Sequence, residues 1–163
     1  SIRLRPVEIV LRESPFVWID LPDPSGRTGR AKIATSEKVW SVVFCDRSGT
    51  WHAFGVAPRE VETSAGAVVR DSQPRHLASG ALDVCLSRGD DFLGEHGDAR
   101  KHGRQARVYH GLPATQGQLD LAKKLGLDVG PRPLLYPTAC RITARLAGKI
   151  IRTILPDVQA VAA

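Results

Sequence analysis

The stretch VWSVVFCDRSGTWHAFGV, Val39–Val56, decides the fold. Its first part, Val39-Trp40-Ser41-Val42-Val43-Phe44, is apolar at almost every position, so side chains of both parities avoid water. A strand of that kind needs cover on both faces and belongs at the centre of a sheet. Asp46-Arg47-Ser48-Gly49 then has the composition of a turn, and Thr50–Val56 returns as the partner strand of a hairpin.

Working outward towards the N-terminus, Arg30–Thr35 reads as a third strand. Phe16–Leu21 (FVWIDL) is aromatic and β-branched, and Val7–Arg12 alternates in part, so both are expected as strands with a bend at Pro15. The segment 22–29, PDPSGRTG, is a loop because proline fixes φ and glycine admits positive φ. Beyond the hairpin, Ala67–Arg70 suits a sixth short strand. The expectation is a β-rich meander or small barrel over residues 1–72. Most of its aromatics, among them Trp18, Trp40, Phe16, Phe44 and Phe54, are expected in the core, with Trp51-His52 the most exposed pair.

After Asp71 the period changes. Leu77, Ala81, Leu82, Cys85 and Leu86 recur at helical spacing, which predicts a helix over 77–87. Residues 88–111 are polar and glycine-punctuated and read as a long loop, with a short strand at 106–109. Thr115 and Gln118 form a capping-box pattern, and Gly126 supplies the stop of the helix they open. A Pro-Arg-Pro connector at 131–133 leads to a last helix over 138–155, ended by Pro156, with a frayed tail. The fold class is α+β: a β-rich domain at 1–72, a helix and polar loop at 73–113, and a two-helix segment at 114–163, or all three in one compact domain.

Composition narrows the function. The longest apolar runs are four or five residues, too short for a spanning helix of about 20, and no secretory leader is expected. Cys45, Cys85 and Cys140 are odd in number and far apart, which disfavours a disulfide framework and points to the cytoplasm or another reducing intracellular compartment. No CxxC or CxxH pair calls for a metal, and neither a phosphate loop nor a dinucleotide fingerprint calls for a cofactor. Asp20 and Asp23 are assigned to turn formation.

The net charge of +6 is unevenly spread. Residues 1–71 carry ten Lys/Arg and nine Asp/Glu, residues 72–131 eight and seven, and residues 132–163 five and one. At about 100° per residue, Arg141, Arg145, Lys149 and Arg152 fall within an arc of about 80° on the last helix. Ile142, Leu146, Ile150, Ile151 and Ile154 occupy the opposite side and are expected to dock it on the body. Like charges one turn apart repel unless a polyanion offsets them. A second basic set, Arg100, Lys101, Arg104 and Arg107, lies in the polar loop with His96, His102 and His110.

These features predict a non-enzymatic nucleic-acid-binding component that works with other protein subunits and without a membrane. The setting would be a ribonucleoprotein or a DNA-processing complex. RNA is favoured over DNA because an irregular arginine-rich loop suits irregular targets. Two alternatives compete: a small nuclease using His102 or His110 as acid or base, and an interaction module whose basic helix docks on an acidic protein.

Overall fold

A computed structural model describes residues 7–22 and 27–154, with the backbone alone for 147–154. Helix α1 (Val7–Glu13) precedes strands β1 (Ile19–Asp20), β2 (Ala31–Ser36), β3 (Val39–Cys45) and β4 (Trp51–Val56). A hairpin of β5 (Arg59–Glu62) and β6 (Val68–Asp71) follows, then β7 (Arg75–Gly80). Helices α2 (Leu82–His96), α3 (Ala99–His102), α4 (Arg107–Gly111), α5 (Gln116–Lys124) and α6 (Leu135–Ile154) complete the chain.

Five strands form one antiparallel sheet in the order β1-β2-β3-β4-β7, and β5-β6 make a separate ribbon inserted before the last of them. The architecture is therefore α+β with a β-rich N-terminal part and helices after it, and the strands follow one another as a meander. β7 lies beyond residue 72, so the sheet draws on chain from both sides of that boundary.

β3 is central and covered on both faces, as its apolar run requires. Trp40, Val42 and Phe44 face one side, with Ile33, Phe54 and Val56 of the neighbouring strands, beneath Tyr136, Cys140 and Ala144 of α6. The rings of Phe44 and Phe54 stack 5.8 Å apart. Val43 and Ala53 face the other side, under Cys85 and Leu86 of α2 and Val10 of α1. Each large apolar side chain buried in this way stabilises the fold by about 1.5–3 kcal/mol.

The Val7–Arg12 expectation is corrected: the segment is α1, not a strand. Val7, Val10 and Leu11 sit at i, i+3 and i+4, and all three pack in the cluster beneath α2. The β-branched content concealed a helical face. Of Phe16–Leu21 only Ile19–Asp20 pairs in the sheet, against Ile33 and Lys32. Leu21 N–H still donates to the Ala31 carbonyl of β2, while Phe16 N–H donates to Ser14 Oγ and the Val17 carbonyl accepts from the Tyr136 hydroxyl at 2.6 Å.

The helix expected at 77–87 runs instead from Leu82 to His96, because Arg75–Gly80 is a strand. Its extension through Arg88-Gly89-Asp90-Asp91 corrects the reading of that run as loop. Gly89 is buried against the sheet, and a Cβ there would lie 2.7 Å from the Trp18 ring. The Asp90 carboxylate accepts from Ser14 Oγ at 2.6 Å and Trp18 Nε1 at 2.9 Å. Burial raises its pKa, while both hydrogen bonds act in the opposite direction. Asp90 of this run thus makes tertiary contacts, while Arg88 and Asp91 face solvent. The short strand expected at 106–109 is also replaced, by α4.

Thr115 and Gln118 form the capping box, and Gly126 adopts φ +69° just past the helix end. In α6 the buried positions are Tyr136, Thr138, Cys140, Ile142 and Ala144. Leu146, assigned to the docking face, is 55% exposed, since the face that meets the sheet runs through 136, 140 and 144. The side chains of Lys149, Ile150, Ile151, Arg152 and Ile154, and residues 23–26 and 155–163, lie outside the described residues.

Candidate nucleic-acid interface

The chain after α2 is held to the body by polar and aromatic contacts. Asp98 caps α3, its carboxylate accepting from the Arg100 and Lys101 amides at 2.9 and 3.2 Å. The Asp98 amide donates to Ser36 Oγ at the end of β2, 2.8 Å away. Further along, Arg104 N–H donates to the Pro15 carbonyl at 2.7 Å. The buried Gly103 leaves no room for a Cβ, which would meet that same carbonyl oxygen at 2.5 Å. What composition made look like a loop is two short helices fixed at several points.

Arg100, Lys101, Arg104 and Arg107 are all exposed on this segment. No carboxylate among the described residues forms an ion pair with Arg100, Lys101 or Arg107. The Asp98 carboxylate is occupied by the two amides of its cap. Arg104 is engaged differently, its guanidinium donating to the Leu11 carbonyl, with Asp90 close enough to feel its charge. Lys101 and Arg107 share the rim of an open depression of about 500 Å³, lined also by Gln105, Val108, Tyr109 and Leu112. Val108 is 82% and Leu112 41% exposed, so the cations flank an apolar floor.

The two histidines of the nuclease alternative lie behind this surface. The His102 ring meets Tyr109 edge-on at 5.1 Å, and its Nδ1 lies 3.3 Å from Ser36 Oγ. His110 Nε2 lies 3.1 and 2.9 Å from the carbonyls of His102 and Gly103. Carbonyls only accept, so this nitrogen carries the proton and is committed to the backbone. The His110 ring packs on Tyr136 at 4.6 Å, which joins α4 to α6. Half-buried histidines bonded in this way clamp short helices in place. Tyr109 completes the cluster, and burial raises its phenol pKa.

On α6, Arg141 and Arg145 are half-buried. The Arg141 guanidinium donates to the Asp128 carbonyl, tying α6 to the connector that follows α5. Arg145 Nε is buried without a hydrogen-bond partner among the described residues. The His96 ring packs on Phe92, tilted by 47° with centroids 4.6 Å apart.

One group of side chains was not legible in the sequence as a unit. Asp46, His52, His76 and Ser79 converge at the end of β4 and β7, linked by hydrogen bonds of 2.7–2.8 Å. Residues 46 and 79 are far apart in the chain, and only the strand register unites them. The signal that existed was Trp51-His52 beside the turn, although both residues prove half-buried.

Among known families, residues 3–129 match the one described as the mitochondrial helicase Irc3, C-terminal domain. No curated protein and no solved structure matches. The matched segment takes in the sheet, α2 and the basic α3–α4 segment, and ends before α6. The expected cytoplasmic location is corrected by this match, because the helicase that defines the family is a mitochondrial one. A helicase acts on nucleic acid, so the match supports a nucleic-acid-related role for the domain. The match spans more than three quarters of the sequence, and the chain belongs to the family of Irc3 C-terminal helicase domains.

Proposed function

We propose that this domain is a nucleic-acid-holding accessory of a helicase motor, working in the mitochondrion as the family's description says of its helicase. One observation carries the reading: Arg100, Lys101 and Arg107 stand exposed, without a carboxylate partner among the described residues, on two short helices hydrogen-bonded to the body. Because the backbone that carries these cations is already ordered, only their side chains lose freedom on meeting a phosphate backbone, and each neutralised phosphate releases counterions. The rim of Lys101 and Arg107 takes the phosphates, while Val108 and Leu112 offer apolar surface to sugar or base. Arg104 adds to the local positive field. Arg141 and Arg145 of α6 are half-buried and add charge beside this patch, while the side chains of Lys149 and Arg152 lie outside the described residues. The nucleic acid is gripped rather than cut, and His102 and His110 hold the grip in shape.

Phosphate is common to DNA and RNA. The preference for RNA rested on an irregular loop, and that loop is helical, so this ground for the preference is gone. Protein partners follow from the family: the other segments of a helicase polypeptide are the natural neighbours of a C-terminal domain.

Fluorescence anisotropy with labelled single- and double-stranded DNA and with RNA tests the proposal at two salt concentrations. Binding weakens with salt with a log–log slope of roughly 0.7–0.9 per phosphate contacted. Double charge reversal, Lys101→Glu with Arg107→Glu, lowers affinity by about 10- to 100-fold at low salt by removing and inverting two contacts. Absence of binding to every oligonucleotide at low salt overturns the reading.

A further inference from the structure

β7 contains a bulge. Ala78 pairs with Ala53 and His76 with Phe54, leaving Leu77 as an extra residue on the β7 side. Side chains alternate along a regular strand, so residues three apart point to opposite faces. The bulge cancels that alternation and brings His76 and Ser79 to one face, beside His52 of β4. His52 Nδ1 and His76 Nε2 both lie 2.7 Å from Ser79 Oγ. The other nitrogen of His52, Nε2, lies 2.8 Å from Asp46 Oδ2.

Proton bookkeeping gives this group a direction. Asp46 is held well below the usual carboxylate range by the Ser48 hydroxyl first and His52 second, with smaller help from the Thr50 and Ser48 amides. It is therefore ionised and accepts, so His52 Nε2 carries hydrogen, and in the neutral ring Nδ1 presents a lone pair. That lone pair accepts the single proton of the Ser79 hydroxyl. Ser79 Oγ has then no proton left for His76, whose Nε2–H must donate to it. The chain runs His76 to Ser79 to His52 to Asp46. Nucleophile, base and orienting carboxylate are in hydrogen-bond reach in sequence, with a separate N–H donor beside the nucleophile.

We propose that Ser79, His52 and Asp46 form a nucleophilic centre that cleaves carboxylic esters, with His76 holding the Ser79 hydroxyl in place. The serine uses Nδ1 of the base and the aspartate Nε2, the reverse of the arrangement in serine proteases. Ser79 Oγ attacks the acyl carbon and a C–O bond forms as the hydroxyl proton passes to His52 Nδ1. The tetrahedral adduct collapses, the bond to the leaving alkoxide breaks, and the alkoxide takes the proton from His52. Water then attacks the acyl-serine, again losing a proton to His52, which returns it to Ser79 Oγ as the carboxylic acid departs. Ser79 and His76 are exposed and His52 lies over Phe44 at 5.7 Å, so the site is open, and reactivity rather than shape selects the substrate.

Two measurements on the whole chain test this. A fluorophosphonate probe is expected to label Ser79, located by peptide mass spectrometry, and labelling is expected to vanish in Ser79→Ala and to fall about 100-fold in His52→Gln. p-Nitrophenyl acetate hydrolysis is expected to fall with labelling in both variants, and Asp46→Asn is expected to lower it by about 10-fold or more. Ser79 is an exposed edge position, and unchanged circular dichroism of Ser79→Ala separates loss of chemistry from loss of fold. Failure of the probe to label Ser79 in the folded protein overturns the proposal, as does hydrolysis equal in wild type and Ser79→Ala.

Discussion

The two faces of the central sheet are built differently. The face under α6 is made of bulk: Trp40, Val42, Phe44, Phe54 and Ile33 meet Tyr136 and Cys140. The middle of the face under α2 is made of small residues, Ala34, Ser41, Val43, Ala53 and Gly55, with Trp51 and Leu77 at its margin, and α2 comes close enough to leave no room for a Cβ at Gly55 or Gly89. A Cβ on Gly55 would fall 2.6 Å from the Phe92 ring, and one on Gly89 2.7 Å from Trp18. On this close face Ser41 Oγ also donates to the Gly89 carbonyl at 3.0 Å. Bulk holds one helix at a distance through many contacts, and absence of bulk lets the other settle against the strands.

That contrast makes opposite substitutions damaging on the two faces. Phe44→Ala removes a fully buried ring from the bulky face and is expected to cost about 3–5 kcal/mol in urea unfolding. A loss below about 1 kcal/mol would mean that α6 collapses onto the gap and the face is not bulk-limited. Gly89→Ala adds one methyl group to the close face and is expected to cost about 1–3 kcal/mol through overpacking against Trp18. In an exposed helix the same change is stabilising by about 1 kcal/mol, so a stabilised variant would refute the close approach.

The smallest effect concerns the thiols, one under each helix. Burial pushes Cys85 up to about 11 and Cys140 up to about 12. Both are expected to resist a disulfide reagent at pH 8 in the native protein, while the half-buried Cys45 reacts. All three react after unfolding. Rapid reaction of Cys140 in native conditions would mean that α6 opens readily from its face.

The sequence disclosed structure where one physical signal dominated. β3 was legible because apolar residues at both parities have a single explanation, and the α5 cap because a threonine with a glutamine three residues on is a local device. α2 was cut short because Gly89 and Asp90 resemble loop residues until Trp18, distant in sequence, arrives to use both. The basic residues at 100–107 were legible as a cationic cluster, and they are exposed, but the contacts that fix their helices depend on Ser36 and Pro15, again distant. On α6, hydrophobicity alone favoured Leu146, whereas the sheet selects Tyr136, Cys140 and Ala144 by position. The Asp46–Ser79 group required the register of β4 against β7 and a bulge, neither of which composition encodes.

The bulge at Leu77 has a second effect, on how copies of this chain meet one another. β7 is the outermost strand on its side of the sheet, and no described strand pairs with its far edge. A flat six-residue edge is a template on which a second copy can add by backbone hydrogen bonding. The extra residue interrupts the regular spacing of donors and acceptors that such pairing needs, and Arg75 places a charge at the strand's start. Deleting Leu77 would smooth that edge and is expected to raise self-association, measured by light scattering.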